Sequence, residues 1–199
     1  MKDPMFAEKC YLMVESDPKT YEEVAGDPIW QTAMKEEFRS LQKSNTLALV
    51  DLPPGRKLVQ CKWVYKTKFS ADGSPLKYKA RLVAKGYSQV HGIDYNETFA
   101  PVTKMDYIKL ALSITASKQW EVHHMDVKCA FLNGDLTEEI YMQQPQGFTT
   151  NPSLVCRLRK SLYGLKQARR AWYPKIDSFL LNFVQCKSDP NVYLKLING

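Results

Sequence analysis

The stretch from Cys61 to Lys85 constrains the fold more than any other. Two strand-like runs, Cys61–Phe69 and Leu76–Lys85, flank Asp72-Gly73, a turn dipeptide. Successive side chains of a strand point to opposite faces, so residues of one parity share a face. In the first run Lys62, Lys66 and Lys68 share one parity, and Trp63, Tyr65 and Phe69 the other. In the second, Lys77, Lys79, Arg81 and Lys85 oppose Tyr78, Ala80, Leu82 and Ala84. The expected hairpin is basic on one face and apolar on the other. Its apolar face needs a partner. Its basic face is of one sign: residues 56–85 hold nine Lys/Arg and a single acid, Asp72. A merely solvated face ordinarily mixes signs, so this one points to phosphate contact.

Charge across the rest of the chain agrees. The net charge of +7 is uneven, because residues 1–55 carry six basic and ten acidic residues and the remainder is strongly basic. A basic body suggests a polyanionic partner, nucleic acid first. No apolar run reaches bilayer-spanning length, which predicts no membrane association. The first ten residues, MKDPMFAEKC, lack a signal-peptide core, so an intracellular location is expected. Five widely spaced cysteines without a C-x-x-C pair support neither a disulfide framework nor a zinc site.

Along the chain, residues 1–19 read as a polar tether and 20–199 as the folded body. Thr20 and Glu23 have capping-box form. Asp27-Pro28 opens a helix over roughly 28–43, with Trp30, Ala33, Met34, Phe38 and Leu41 at helical spacing. Thr103 and Asp106 again suggest a capping box, here opening a helix to about Lys118. That helix is apolar around most of its circumference, which predicts burial under a sheet. Trp120–Met125 reads as a strand ending at Asp126, before the Asn133-Gly134 turn. Residues 137–148 read as a short strand with a Pro/Gly exit. Leu162, Leu165, Ala168, Trp172, Ile176, Phe179, Leu180 and Phe183 predict a helix from near Ser161. Lys166, Arg169 and Arg170 lie on its cationic flank: residues 156–175 carry seven Lys/Arg and no acid. Pro174 removes a backbone donor and is expected to bend or end this helix. Val192–Leu194 reads as strand.

Asp126 is the carboxylate best placed to hold a divalent cation beside a substrate, since Mg²⁺ is usually held by one or two carboxylates plus substrate phosphates. A turn-capping Asp is the plainer alternative, because one Asp makes no metal site.

Several segments, taken in order, resemble the reverse transcriptase of copia-type LTR retrotransposons. They are WQTAMKEEF, CKWVYKTK, YKARLVAKGYSQ, IDYNETFAPV, MDVKCAFLNGDL, IYMQQPQGF, SLYGLKQARRAWY and SDPNVY, spread from about Tyr21 to Asn198. The resemblance implies an α+β, right-hand polymerase architecture: a fingers hairpin at about 61–85 and a partial palm at about 101–199. It implies that Lys66 or Lys68 and Arg81 grip the triphosphate of an incoming dNTP. Asp126 would be the first catalytic aspartate, with the Val127 carbonyl as a further Mg²⁺ ligand. Phe131 would be the ring that blocks a ribose 2′-OH. Gly164 to Gln167, with Gly164 and Gln167 facing the nucleotide, would approach template and nucleotide. Lys62, Lys79, Lys85, Lys166, Arg169 and Arg170 would contact an RNA/DNA template-primer. The implied setting is the Pol polyprotein of an integrating element, in a cytoplasmic virus-like particle or the nucleus.

The implied chemistry is two-metal nucleotidyl transfer. The family's other two catalytic aspartates lie in a Tyr-Val-Asp-Asp turn beyond the matched segments. No Asp-Asp pair occurs in this sequence. The expectation is a fragment truncated before that hairpin and inactive alone. The alternatives are a non-catalytic nucleic-acid-binding module and a decayed transposon relic. Arg169, where the family has proline, and Pro174, where it has none, are the departures.

Overall fold

The computed structural model describes residues 16–196. The expected tether lies outside the described residues up to position 15. Asp17 is tied down: its carboxylate accepts from the Thr67 amide at 2.6 Å and pairs with Lys66 at 2.7 Å. Thr20 and Glu23 bond to each other at 3.2 Å, but they close a turn and cap no helix.

Helix α1 is Pro28–Lys43. The Asp27 carboxylate accepts from the Ile29 amide at 2.8 Å, and Pro28 occupies the first turn, where a missing N–H costs nothing. Strands β1 (Leu47–Asp51) and β2 (Leu58–Val59) follow. Then come β3 (Cys61–Phe69) and β4 (Pro75–Ala84), paired antiparallel as the expected hairpin. Asp72 holds its turn, accepting from the Ser74 amide at 2.8 Å and from both flanking serine hydroxyls.

Burial follows the alternation read from sequence. Trp63, Tyr65, Ala80 and Leu82 are buried, while Lys62, Lys66, Lys68 and Arg81 are exposed. The apolar face finds its partner in α1. Trp30 meets Tyr65 and Tyr78 edge-on at 5.3 and 5.0 Å, and Met34 and Leu41 are fully buried. Phe148 extends the layer, stacked on Phe38 at 4.5 Å and 5.5 Å from Trp63.

Helix α2 is Met105–Lys118, β5 is Asp135–Met142, β6 is Leu154–Lys160 and α3 is Ala168–Phe179. Two-residue strands β7 (Val184–Gln185) and β8 (Tyr193–Leu194) pair with each other. A four-stranded sheet runs β1-β6-β5-β2, antiparallel except where β2 joins β5. It draws strands from both sides of the hairpin, so residues 47–59 and 135–160 form one layer.

Four expectations are corrected. Residues 120–125 form no strand; all are exposed and none joins a sheet among the described residues. β-propensity alone does not make a strand, which exists only through a neighbour's hydrogen bonds. Helix α2 is not buried under a sheet, since none of its residues is buried. Its start is capped by Lys104 without a side-chain bond, so Thr103 and Asp106 form no capping box. The last helix starts at Ala168, not near Ser161, because Gly164 at φ +89° turns the chain against β4, and the helix does not end at Pro174. No helix among the described residues is long and apolar enough to cross a membrane.

Candidate functional site

A cleft of about 420 Å³ opens between α1, β4 and residues 126–130. Lys79 and Arg81 come to its wall from β4, Glu37 from α1, and Asp126 and Val127 from the segment after α2. Tyr163, in the turn after β6, completes it. Residues 45 positions apart in sequence, Arg81 and Asp126, thus share one cavity.

The hairpin register concentrates positive charge beside this cleft. Lys66 lies directly opposite Lys79, and Lys68 opposite Lys77. Like charges directly opposite are destabilising across an antiparallel pair. Among the described residues, only Lys66 of these four has a carboxylate partner, Asp17. Lys62 projects from the same face. Lys85, just past β4, donates to the Gln60 side chain at 3.0 Å.

The Glu37 carboxyl is pushed above the usual carboxylate range by burial, against the pull of the Leu82 backbone, Arg81 and Lys79. One of its oxygens is buried without a hydrogen bond. Sequence reading missed this residue; its place at the edge of α1's apolar stripe, next to Met34 and Phe38, was the available signal.

Phe131 lies in a short 3-10 helix, Ala130–Asn133, half-buried behind the cleft. Its ring meets Tyr163 edge-on at 5.1 Å. The Arg81 guanidinium stands 5.5 Å from the same Tyr163 ring. Tyr163 was not singled out in sequence, although SLYGLKQ was.

The remaining expected residues are placed elsewhere or used internally. Gly164 has φ +89°, and a Cβ there would fall 2.1 Å from the Ala84 carbonyl oxygen. Only glycine lets this turn lie against β4. Gln167 is buried and bonded within the protein, donating to the Asp94 carbonyl at 2.9 Å and accepting from Gln89 at 3.1 Å. Lys166 sits over Tyr95, 4.7 Å from its ring, and donates to its hydroxyl. Arg170 pairs with Glu97 at 3.0 Å and lines a second cleft of about 790 Å³ with Asp135, Glu138 and Lys175. Arg169 is exposed. So the α3 cations do not join Asp126.

Among the described residues no group of three or more His, Cys, Asp or Glu is placed to hold a metal ion. The cleft is lined by three acids, Glu36 and Glu37 from α1 and Asp126 next to Val127, and among the described residues they are not gathered into one metal-holding group. That set fits an ion carried in by a triphosphate, not two ions held by the protein.

A profile described as reverse transcriptase (RNA-dependent DNA polymerase) matches residues 44–197. The chain is 49% identical over 194 residues to the retrovirus-related Pol polyprotein from transposon TNT 1-94 of Nicotiana tabacum, covering 93% of the chain and 15% of that polyprotein. It is 42% identical over 197 residues to the corresponding polyprotein from transposon RE1 of Arabidopsis thaliana, covering 96% and 13%. It is also 37% identical over 120 residues to an uncharacterized mitochondrial protein of Arabidopsis thaliana, covering 60% of the chain and 69% of that protein. The chain therefore spans about 15% or less of the polyproteins it matches. No solved structure matches it.

Proposed function

The chain belongs to the reverse transcriptase (RNA-dependent DNA polymerase) family, and on that premise we propose that it grips template-primer and an incoming dNTP for copia-type reverse transcription. The observation that carries this is the cleft shared by Arg81 and Asp126. The hairpin 61–85 serves as fingers, and the region from about 101 as part of the palm. Arg81 donates its planar fork to phosphate oxygens, and Lys79 adds charge at the same wall. Lys62, Lys66 and Lys68 neutralise nucleic-acid phosphates, which also relieves the Lys66–Lys79 and Lys68–Lys77 repulsion. Phe131, behind the Tyr163 wall of the cleft, is the ring that would block a ribose 2′-OH.

Asp126 and the Val127 carbonyl are the groups that would hold Mg²⁺. When bound, the ion neutralises the triphosphate. The protein's own residues bind and orient the nucleotide. The full transfer reaction calls for carboxylates gathered around two ions, and Glu36, Glu37 and Asp126 are not so gathered, so the 199 residues by themselves are expected to bind without polymerising.

The binding test is affinity for a primed RNA template across a salt series. Each phosphate-contacting lysine contributes about one unit to the log–log salt slope, so Lys62, Lys66 and Lys68 replaced by Ala should flatten it by about three. An unchanged slope would sink the nucleic-acid reading. Mg²⁺-dependent dNTP affinity, weakened by Arg81→Ala and Asp126→Asn, separates a polymerase site from a plain binding module, which the one-sign hairpin face would also suit. Primer extension should be absent. Extension that Asp126→Asn abolishes would mean another carboxylate completes the site.

A further inference from the structure

The geometry points to Tyr163 as a positioning residue that couples the phosphate grip to the sugar gate. This rests on the nucleotide-site reading above. Three contacts converge on the one residue. Its main-chain carbonyl accepts from the Ala84 amide at 2.8 Å, which fastens the turn after β6 to the end of β4. Its ring has the Arg81 guanidinium 5.5 Å from the centroid. The same ring takes Phe131 edge-on at 5.1 Å and 68°.

Arg81 lies on the exposed face of β4, where a long side chain samples many rotamers unless something holds it. Across the hairpin its neighbour is Val64, which offers it no hydrogen bond. The Tyr163 ring supplies the hold, because the negative π face attracts a guanidinium and leaves its outer N–H groups free for a ligand. Phe131 has the opposite need. Its ring must stay put against a sugar, and the T-shaped contact fixes its tilt. One ring therefore sets both groups, at the wall of the cleft that also holds Asp126. The close approach at Gly164 keeps that wall in place, since the turn rests on β4 with no room for a Cβ.

The ring's face is the working part, so shape and π character can be separated. Tyr163→Phe keeps the ring. Tyr163→Leu keeps apolar bulk without the π face. The readouts are affinities for dATP with Mg²⁺, ATP with Mg²⁺ and inorganic tripolyphosphate, measured on the 199-residue chain by titration calorimetry. Tyr163→Phe should match wild type within twofold on all three. Tyr163→Leu should keep the wild-type circular dichroism, lose about tenfold on dATP and tripolyphosphate, and bring the dATP/ATP ratio towards one. If Leu behaves as Phe does while Arg81→Ala still loses dATP affinity, Tyr163 is packing only and the inference falls alone. If wild type binds none of the three probes, the nucleotide-site reading falls and takes this one with it. Tyr163→Ala, with calorimetric melting, reports how much stability the ring adds.

Discussion

Gly164 and Glu37 are the residues where the cleft's demands depart furthest from ordinary folding. At Gly164 a Cβ would meet the Ala84 carbonyl at 2.1 Å and the Val83 side chain at 2.6 Å, at φ +89°. Gly164→Ala therefore adds both backbone strain and overlap, and should cost about 2–4 kcal/mol by urea unfolding. A loss under half of that would mean the turn can lift off β4. Glu37 carries a pH signature of the opposite kind to most carboxylates. Its folded pKa lies above the 4.5 of the free group, with burial the leading cause. The folded chain therefore holds the proton more tightly than the unfolded one. Its contribution is fully present below about pH 4.5 and is lost as pH rises through the folded value. Glu37→Gln cannot ionise, so its stability relative to wild type should climb between pH 4 and pH 7. A difference that stays flat with pH would show that the carboxylate is well solvated after all.

Elements are decided by their partners. The hairpin forms because β3 and β4 both present apolar residues to α1, and that burial outweighs the opposed lysines on the other face. In α3 the ledger runs the other way. Pro174 is the seventh of twelve residues, so the helix gives up one backbone hydrogen bond without ending. Nothing in the structure makes use of that loss. Pro174→Ala should therefore stabilise the chain by about 1–3 kcal/mol, read as a rise in Tm with helicity retained. A lower Tm would mean the ring packs better than an Ala methyl at this point.

On the scale of the whole molecule, apolar surface is distributed unequally. The core gathers around α1, the hairpin and the four-stranded sheet. Away from it, Ile108, Leu110, Leu112 and Ile114 of α2 are exposed, and so are Trp120, Val122, Met125 and Val127. Large exposed apolar side chains in this number attract dyes and other chains. The chain should enhance ANS fluorescence in its native state and associate at micromolar concentrations in sedimentation. Ile108→Lys with Leu112→Lys should reduce both while leaving the circular dichroism unchanged. Native-state ANS fluorescence equal to that of the variant would overturn the expectation.

What the sequence determined by itself were several features governed by short-range pattern, though not the capping boxes read at Thr20 and Thr103. The Asp27-Pro28 start of α1, the β3–β4 alternation and its Asp72-Gly73 turn were all legible, because caps, pleats and turns are fixed by residues a few positions apart. So was the family, through motifs in order, and with it the candidate residues Asp126, Arg81 and Phe131. Tertiary structure alone decided the rest. Residues 161–167 could not be told from the start of a cationic helix until Gly164 turned the chain against β4. Residues 120–125 have strand composition but no strand beside them among the described residues. Gln167 looked available to a nucleotide and is engaged by Gln89 and Asp94, while Tyr163 looked ordinary and lies between Arg81 and Phe131. In each case the deciding contact spans tens of residues, and such contacts depend on where the folded backbone brings two segments together, which local pattern does not encode.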